Sequence, residues 1–386
     1  MIEKAVFTVS VVTKWLSSYL RRRFTTISSP VHVLFCMVDH FEPGTGGVSP
    51  EVERERMDQL LRGYPELADR HRDSAGNVPK RSWFFPPHYH RRGNLRDLVG
   101  LCERGYGEVE LHLHHGKSTP DTEENLEKTI RLCLEDYSRF GVFGTQNGEK
   151  RYGFIHGDWA LANSRKDGEC CGVDNELDVL LRTGCYADFT LPTATMESNP
   201  DQINSIYYAK TDLTQRIPYN RGVPVRKGRP PAEGLMLVQG PLHPWFVRPS
   251  PLGLRAFTDA MARDKPAPPR KVDTWVQTWI HVEGKPDWVI IKVSTHGAVD
   301  SGVVLGETMS STLRHFETKY NNGPFQLHYV TARELFNMIK AAEAGEQGNP
   351  EEYRDYTITK PRYDCRPEIF EALPELQEAV ARTYVG

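Results

Sequence analysis

The sequence predicts an α/β chain, a distorted (β/α)7 barrel interrupted by an insertion. Three observations carry this reading: seven short apolar runs ended by polar or Gly/Pro residues, a helix-like stretch after each, and one long polar interval that fits neither pattern. Alternation of strand and helix points to a mainly parallel sheet with covering helices, and seven such units suggest closure or near closure.

In order, the runs are His32–Asp39, Ser82–Pro87, Glu108–His114, Tyr152–Gly157, Ala187–Pro192, Gly234–His243 and Trp288–His296. Ser49-Pro50 supplies a cap and first turn for a helix over Glu51–Arg72. Thr119-Pro120, followed by Asp121, Glu123 and Glu124, opens a second helix that ends near Phe140. The interval Thr195–Glu233 is polar and rich in Pro, Gly, Asn and Arg, so it reads as an insertion placed to shape a substrate groove. Lys265–Arg270 reads as a surface connection before Trp275–His281. On this division residues 1–30 are an N-terminal helical segment, 31–345 the barrel with its insertion at about 195–233, and 346–386 a C-terminal extension.

Composition narrows the function classes. The 386 residues are 39% hydrophobic and 26% charged, with 48 Lys+Arg against 51 Asp+Glu, a net charge of −3. That is an ordinary globular balance, without the basic field that concentrates nucleic acid. A mean hydropathy of −0.53 argues against an integral membrane protein. Ala5–Leu20 is largely apolar and precedes Arg21, Arg22 and Arg23, but Lys14 interrupts it. It falls short of a span, and its charge lies on the wrong side for a cleaved leader. It reads as a helix packed on the domain, with peripheral contact of residues 5–23 with anionic lipid as the second reading. Seven scattered cysteines, of which only Cys170-Cys171 are close, fit reduced thiols and a cytoplasmic location.

In a parallel α/β barrel the chemistry sits at the C-terminal strand ends, and here those ends are rich in histidine. They read Asp39-His40-Phe41-Glu42, His112-Leu113-His114-His115, His156-Gly157-Asp158-Trp159 and Thr295-His296-Gly297. Successive strand residues alternate faces, so His112 and His114 point the same way while His115 lies in the following turn. Two imidazoles with a carboxylate from a neighbouring strand suit a divalent metal, Zn²⁺ first, and Asp39 is best placed to supply that carboxylate. His296, on the same rim, is placed to protonate a leaving amine or stabilise an oxyanion. Asp158 reads as a partner of a ligand or as a helix cap, and Trp159 as packing or as a sugar platform. His88 reads as a rim residue without a chemical role, binding substrate or capping the next helix. Asp174, Glu176 and Asp178 look like the solvated first turn of a helix. The chain carries no Walker, Rossmann or G-x-S-x-G signature.

These residues resemble the polysaccharide deacetylases of the NodB type, carbohydrate esterase family 4. The best stretch is Arg81–Gly116: Ser82-Trp83-Phe84-Phe85 is similar to the family's second strand, Leu95–Gly105 to the helix after it, and Glu108–His112 to the strand ending in the first metal histidine. Asp39 sits where the family carries paired aspartates, and Thr295-His296 resembles its late Leu-His motif. The pieces span most of residues 31–300, the insertion aside. The resemblance implies a barrel of the glycoside hydrolase and deacetylase type. Two departures stand out: the second aspartate is His40, and the arginine-bearing third motif is missing from His156–Trp159. Asp39 is therefore either a metal ligand, with Glu42 or Asp158 as base, or the base itself, with His40 joining the metal. The family's histidine spacing favours pairing His112 with His115, with His114 close behind.

The expected activity is hydrolysis of an amide on an N-acyl sugar or polysaccharide by a metal-activated water. The alternatives are a metal-dependent hydrolase of another C–N or a glycosidic bond, and a carbohydrate-binding or scaffold protein on a degenerate barrel. Catalytic candidates are Asp39, Glu42, Asp158 and His296; metal candidates are Asp39, His112, His114 and His115; substrate candidates are Trp159 and His88.

Overall fold

A computed structural model describes Leu16 and residues 29–192, 197–246, 254–257 and 267–383. The lipid-contact reading of residues 5–23 lies almost wholly outside them. Strands are β1 Val31–His40, β2 Arg81–Phe85, β3 Gly107–Leu113, β4 Gly144–Gln146, β5 Glu149–His156, β6 Cys185–Asp188, β7 Ile206–Ala209, β8 Val223–Pro224, β9 Leu235–Val238, β10 His243–Phe246, β11 Leu254–Phe257, β12 Trp288–Thr295 and β13 Phe325–Val330. Helices are α1 Pro50–Ala68, α2 Asn94–Glu103, α3 Glu123–Ser138, α4 Glu176–Arg182, α5 Pro269–Gln277, α6 Ser301–Val304, α7 Glu307–Tyr320, α8 Ala332–Ala344 and α9 Pro374–Thr383.

The main sheet runs β12-β1-β2-β3-β5-β6-β9-β7-β8, and its pairings from β12 to β9 are parallel. Each of the seven expected runs overlaps a strand of the structure. The parallel strand that the apolar pattern missed is β13, which pairs with Val31–Cys36 of β1 just before β2 takes over at Met37. Its sequence Phe-Gln-Leu-His-Tyr-Val alternates, and a buried His328 breaks the apolar run that marks the other strands. The interval read as an insertion is not separate from the sheet, since β7 and β8 extend it antiparallel beyond β9.

Alternation along the strands sorts the core. Trp83 and Phe85 of β2 and Val109 and Leu111 of β3 pack with Leu95, Leu98, Ile130 and Tyr137 of α2 and α3. Phe84 points the other way, into a cluster with Leu34, Cys36, Val38, Ile155, Phe189 and Ile290, which α8 also joins through Leu335 and Ile339. Helix α1 begins as expected, with Ser49 as cap and Pro50 in the first turn, but ends at Ala68 rather than Arg72. The start of α3 lies three residues beyond the expected Thr119-Pro120, because Thr122 is the residue whose hydroxyl accepts from the backbone, at Asn125. Helix α9, from the C-terminal extension, packs on α3. Among the described residues no helix is long and apolar enough to cross a membrane.

Candidate functional site

The rim where β1, β3 and β12 end gathers five of the expected residues. Glu42 stands at the centre. Its Oε1 lies 2.6 Å from Nε2 of His114 and 3.9 Å from Nε2 of His112, and its Oε2 lies 3.9 Å from Nε2 of His296. His40 closes the ring, with centroids 4.7 Å from His296 and 4.9 Å from His112. His112 and His114 share a face because they are two apart on a strand, as the alternation predicts. The pairing of His112 with His115 that the resemblance implies is not the one the structure makes: His115 turns away into a second cluster, with His156, Cys171 and Glu176.

Two local features hold His114. Its Nδ1 lies 2.8 Å from Oδ2 of Asp158, which also faces Lys117 Nζ at 3.6 Å. The backbone at Asp158 is left-handed, with φ 54°, and this turns the carboxylate back toward β3. Asp158 is thus a partner of a candidate ligand, one of the roles the sequence left open for it. His112 is fixed differently: its Nδ1 donates to the Ile155 carbonyl of β5 at 2.8 Å, so Nε2 is the bare nitrogen. That Nε2 is buried and has no hydrogen-bond partner. A bare imidazole nitrogen turned toward a carboxylate is the arrangement of a metal ligand whose other nitrogen is held by a carbonyl.

Charge balance in the ring follows from burial. Desolvation, then the His114 neighbour, lowers His112 to about 3, and desolvation with His296 and His112 holds His40 well below its ordinary value. His88, also desolvated and 6.0 Å from His114 between ring centroids, is likewise well below. For Glu42 burial acts upward, but the hydrogen bond and charge of His114 win and bring it to about 2. Against its own desolvation, His114 is raised by Asp158 and Glu42. The ring therefore offers an ionised carboxylate and neutral imidazoles at His112 and His40, while His114, held between two carboxylates, must give up its Nε2 proton for a divalent cation to bind there.

Asp39, expected as ligand or base, is placed apart from the ring and is in none of the groups of ligand atoms that lie within 4.8 Å of one another among the described residues. It is fully buried and pairs with the Arg81 guanidinium; its Oδ2 also accepts from Thr295 Oγ1 at 2.7 Å, and Gly297 N donates to Oδ1 at 3.0 Å. The register explains this, since β1 sets Asp39 beside Thr295 of β12 and, two residues earlier, Met37 beside Arg81 of β2. The sequence marks Arg81 only as the first residue of the stretch that resembles the deacetylases, one position before the run read as a strand. Glu176 is the other departure: Asp174 and Asp178 are solvated as expected, but Glu176 is fully buried. Trp159 is half-buried beside Asp158, also with a left-handed backbone.

A scan against models of known protein families gives no match to this chain, and a search of curated proteins gives none.

Proposed function

We propose that the chain is a metal-dependent amide hydrolase of the deacetylase type, acting on an N-acyl sugar or polysaccharide across the rim of a distorted seven-stranded barrel. The observation that carries the reading is the meeting of Glu42, His112 and His114 at the strand ends, with His112 Nε2 bare and buried. Held by these three residues, a divalent ion such as Zn²⁺ would lower the pKa of a bound water and polarise an acyl oxygen. Asp158 orients His114 through Oδ2, and with Glu42 assigned to the metal it is the carboxylate left among the candidates at this rim to act as base. His296, whose side chain is 31% exposed, stands at the open edge of the ring and delivers a proton to the departing amine. Asp39 and Arg81 act beneath the site, tying the end of β1 to β2 and β12. The resemblance over Arg81–Gly116 and the half-buried Trp159 beside Asp158 support a sugar as substrate.

The test is release of acetate from N-acetylglucosamine oligomers by protein stripped with chelator and reloaded with zinc. Activity that vanishes on stripping, returns with zinc and is lost in His112→Ala and Glu42→Gln supports the reading. Undiminished activity after complete metal removal overturns it. A second reading, a glycan-binding protein on the same frame, is favoured by the full engagement of Asp39. It predicts oligosaccharide binding without metal and without turnover.

A further inference from the structure

We propose that the chain holds a second, closed zinc site, built by His115, His156, Cys171 and Glu176, separate from the ring around Glu42. The four residues come from the turn after β3, the last position of β5, the loop before α4 and the first turn of α4. All four are at most 3% exposed. Their ligand atoms lie within 4.8 Å of one another: His115 Nε2 is 3.1 Å from Glu176 Oε1, and His156 Nε2 and Cys171 Sγ are 3.5 and 3.6 Å from Oε2. A tetrahedral zinc with bonds of about 2.0–2.3 Å sets its ligands roughly 3.3–3.8 Å apart, so this cluster needs little movement to close on the ion.

The hydrogen-bond pattern points to a cation. His156 Nδ1 faces the Gly157 carbonyl at 2.6 Å and donates to it, which leaves Nε2 as the lone-pair nitrogen. That nitrogen is buried, has no hydrogen-bond partner and is turned toward the Glu176 carboxylate. A lone pair aimed at an anion in a dry interior is unfavourable unless a positive charge lies between them. His115 presents Nε2 to the same centre while its Nδ1 faces Asp121 at 3.0 Å, the carboxylate support that zinc-bound histidines commonly have. One thiolate, two imidazoles and one carboxylate favour zinc over the harder divalent ions. With four protein donors and no open face, the site is structural, and binding releases the Cys171 thiol proton and the His115 Nε2 proton that faces Glu176 to solvent.

The surrounding chain is built to reach this arrangement. Gly116 has φ +67° and packs so closely on the Cys171 backbone that no side chain fits, and Asp121 N donates to the Cys171 carbonyl at 2.8 Å. Between His156 and Cys171 five non-glycine residues, Asp158, Trp159, Ala162, Asn163 and Cys170, have left-handed backbones. Such a segment persists only where its surroundings over-determine it, and a zinc clamp at both ends does so. The same clamp holds the loop that presents Asp158 to His114.

The experiment is cobalt substitution of the full chain, with the thiolate-to-cobalt charge-transfer band as readout, because the ring around Glu42 holds no cysteine. The expected result is a band in the wild type, in Cys170→Ser and in His112→Ala, and none in Cys171→Ser, which also loses about one equivalent of metal per chain. A band that survives in Cys171→Ser overturns the site. Should Cys171→Ser fail to fold, X-ray absorption of the zinc-loaded wild type decides: sulfur scattering at about 2.3 Å supports the site, and purely nitrogen and oxygen scattering overturns it.

Discussion

The ring of His114 lies directly on Gly157, so that a Cβ built on that glycine would stand 2.5 Å from His114 Cε1. The contact joins the ends of β3 and β5, and it makes position 157 part of how the ring around Glu42 is aimed. Gly157→Ala should push His114 away from Glu42 and weaken metal binding by about 10–100-fold, the usual cost of disturbing a ligand's support. Competition with a fluorescent chelator measures this; unchanged affinity would mean that His114 is not a ligand.

Asp158→Asn separates charge from shape. An asparagine side chain tolerates the left-handed backbone at this position, so the loop keeps its path while the carboxylate behind His114 is lost. We expect the thermal midpoint to stay within a degree or two, metal affinity to fall by roughly 10-fold, and hydrolysis to fall further if Asp158 takes the proton as proposed. Equal losses of binding and activity would remove the proton-accepting role.

The Asp39–Arg81 pair should be structural. Arg81→Met leaves a fully buried carboxylate without its cation, which costs about 3–5 kcal/mol of stability. Asp39→Asn combined with Arg81→Met should recover much of that loss, since the neutral amide keeps an oxygen acceptor for Thr295 and Gly297 without a buried charge. Urea unfolding of the two single variants and the double variant measures the coupling. Additive losses would show that the two groups do not depend on each other.

His32 supplies a pH signature away from the site. Desolvation, then the neighbouring His328, lowers its pKa from 6.5 to about 4; Lys285 adds to this and Asp287 opposes it. The rings of His32 and His328 meet at 2.9 Å between Nδ1 and Nε2, Glu351 holds the far nitrogen of His328 at 3.1 Å, and the Trp288 edge covers His32. A folded-state pKa below the unfolded one means that the stability is fully present above about pH 6.5 and is lost as pH falls toward 4. His32→Gln should flatten this part of the curve, read as urea midpoints at pH 7 and pH 5. A wild-type drop reproduced unchanged in the variant would assign it elsewhere.

Much of this protein was legible in local pattern. Apolar runs marked the strands of the parallel path, Ser49-Pro50 marked the start of α1, and alternation along β3 set His112 and His114 on one side, because each depends on neighbours within a few residues. The same alternation matches the grouping of His112 with His114 around Glu42, whereas the spacing of the resemblance favoured His115. β13 was missed because a buried histidine broke its apolar run, and what buries His328 is His32 of β1, almost three hundred residues earlier.

Local pattern thus carried the class of fold and the crowding of histidines at strand ends. Which of those histidines share a centre depended on how distant strands and turns meet. Register set Asp39 beside Arg81 and Thr295 and so took it out of the ring, while the turn at Gly116 carried His115 to Cys171 and Glu176. Glu176 looked like a solvated helix start because its sequence neighbours are solvated. Its burial depends on His115 and His156, which reach it from other strand ends, and no local pattern encodes a contact made through space.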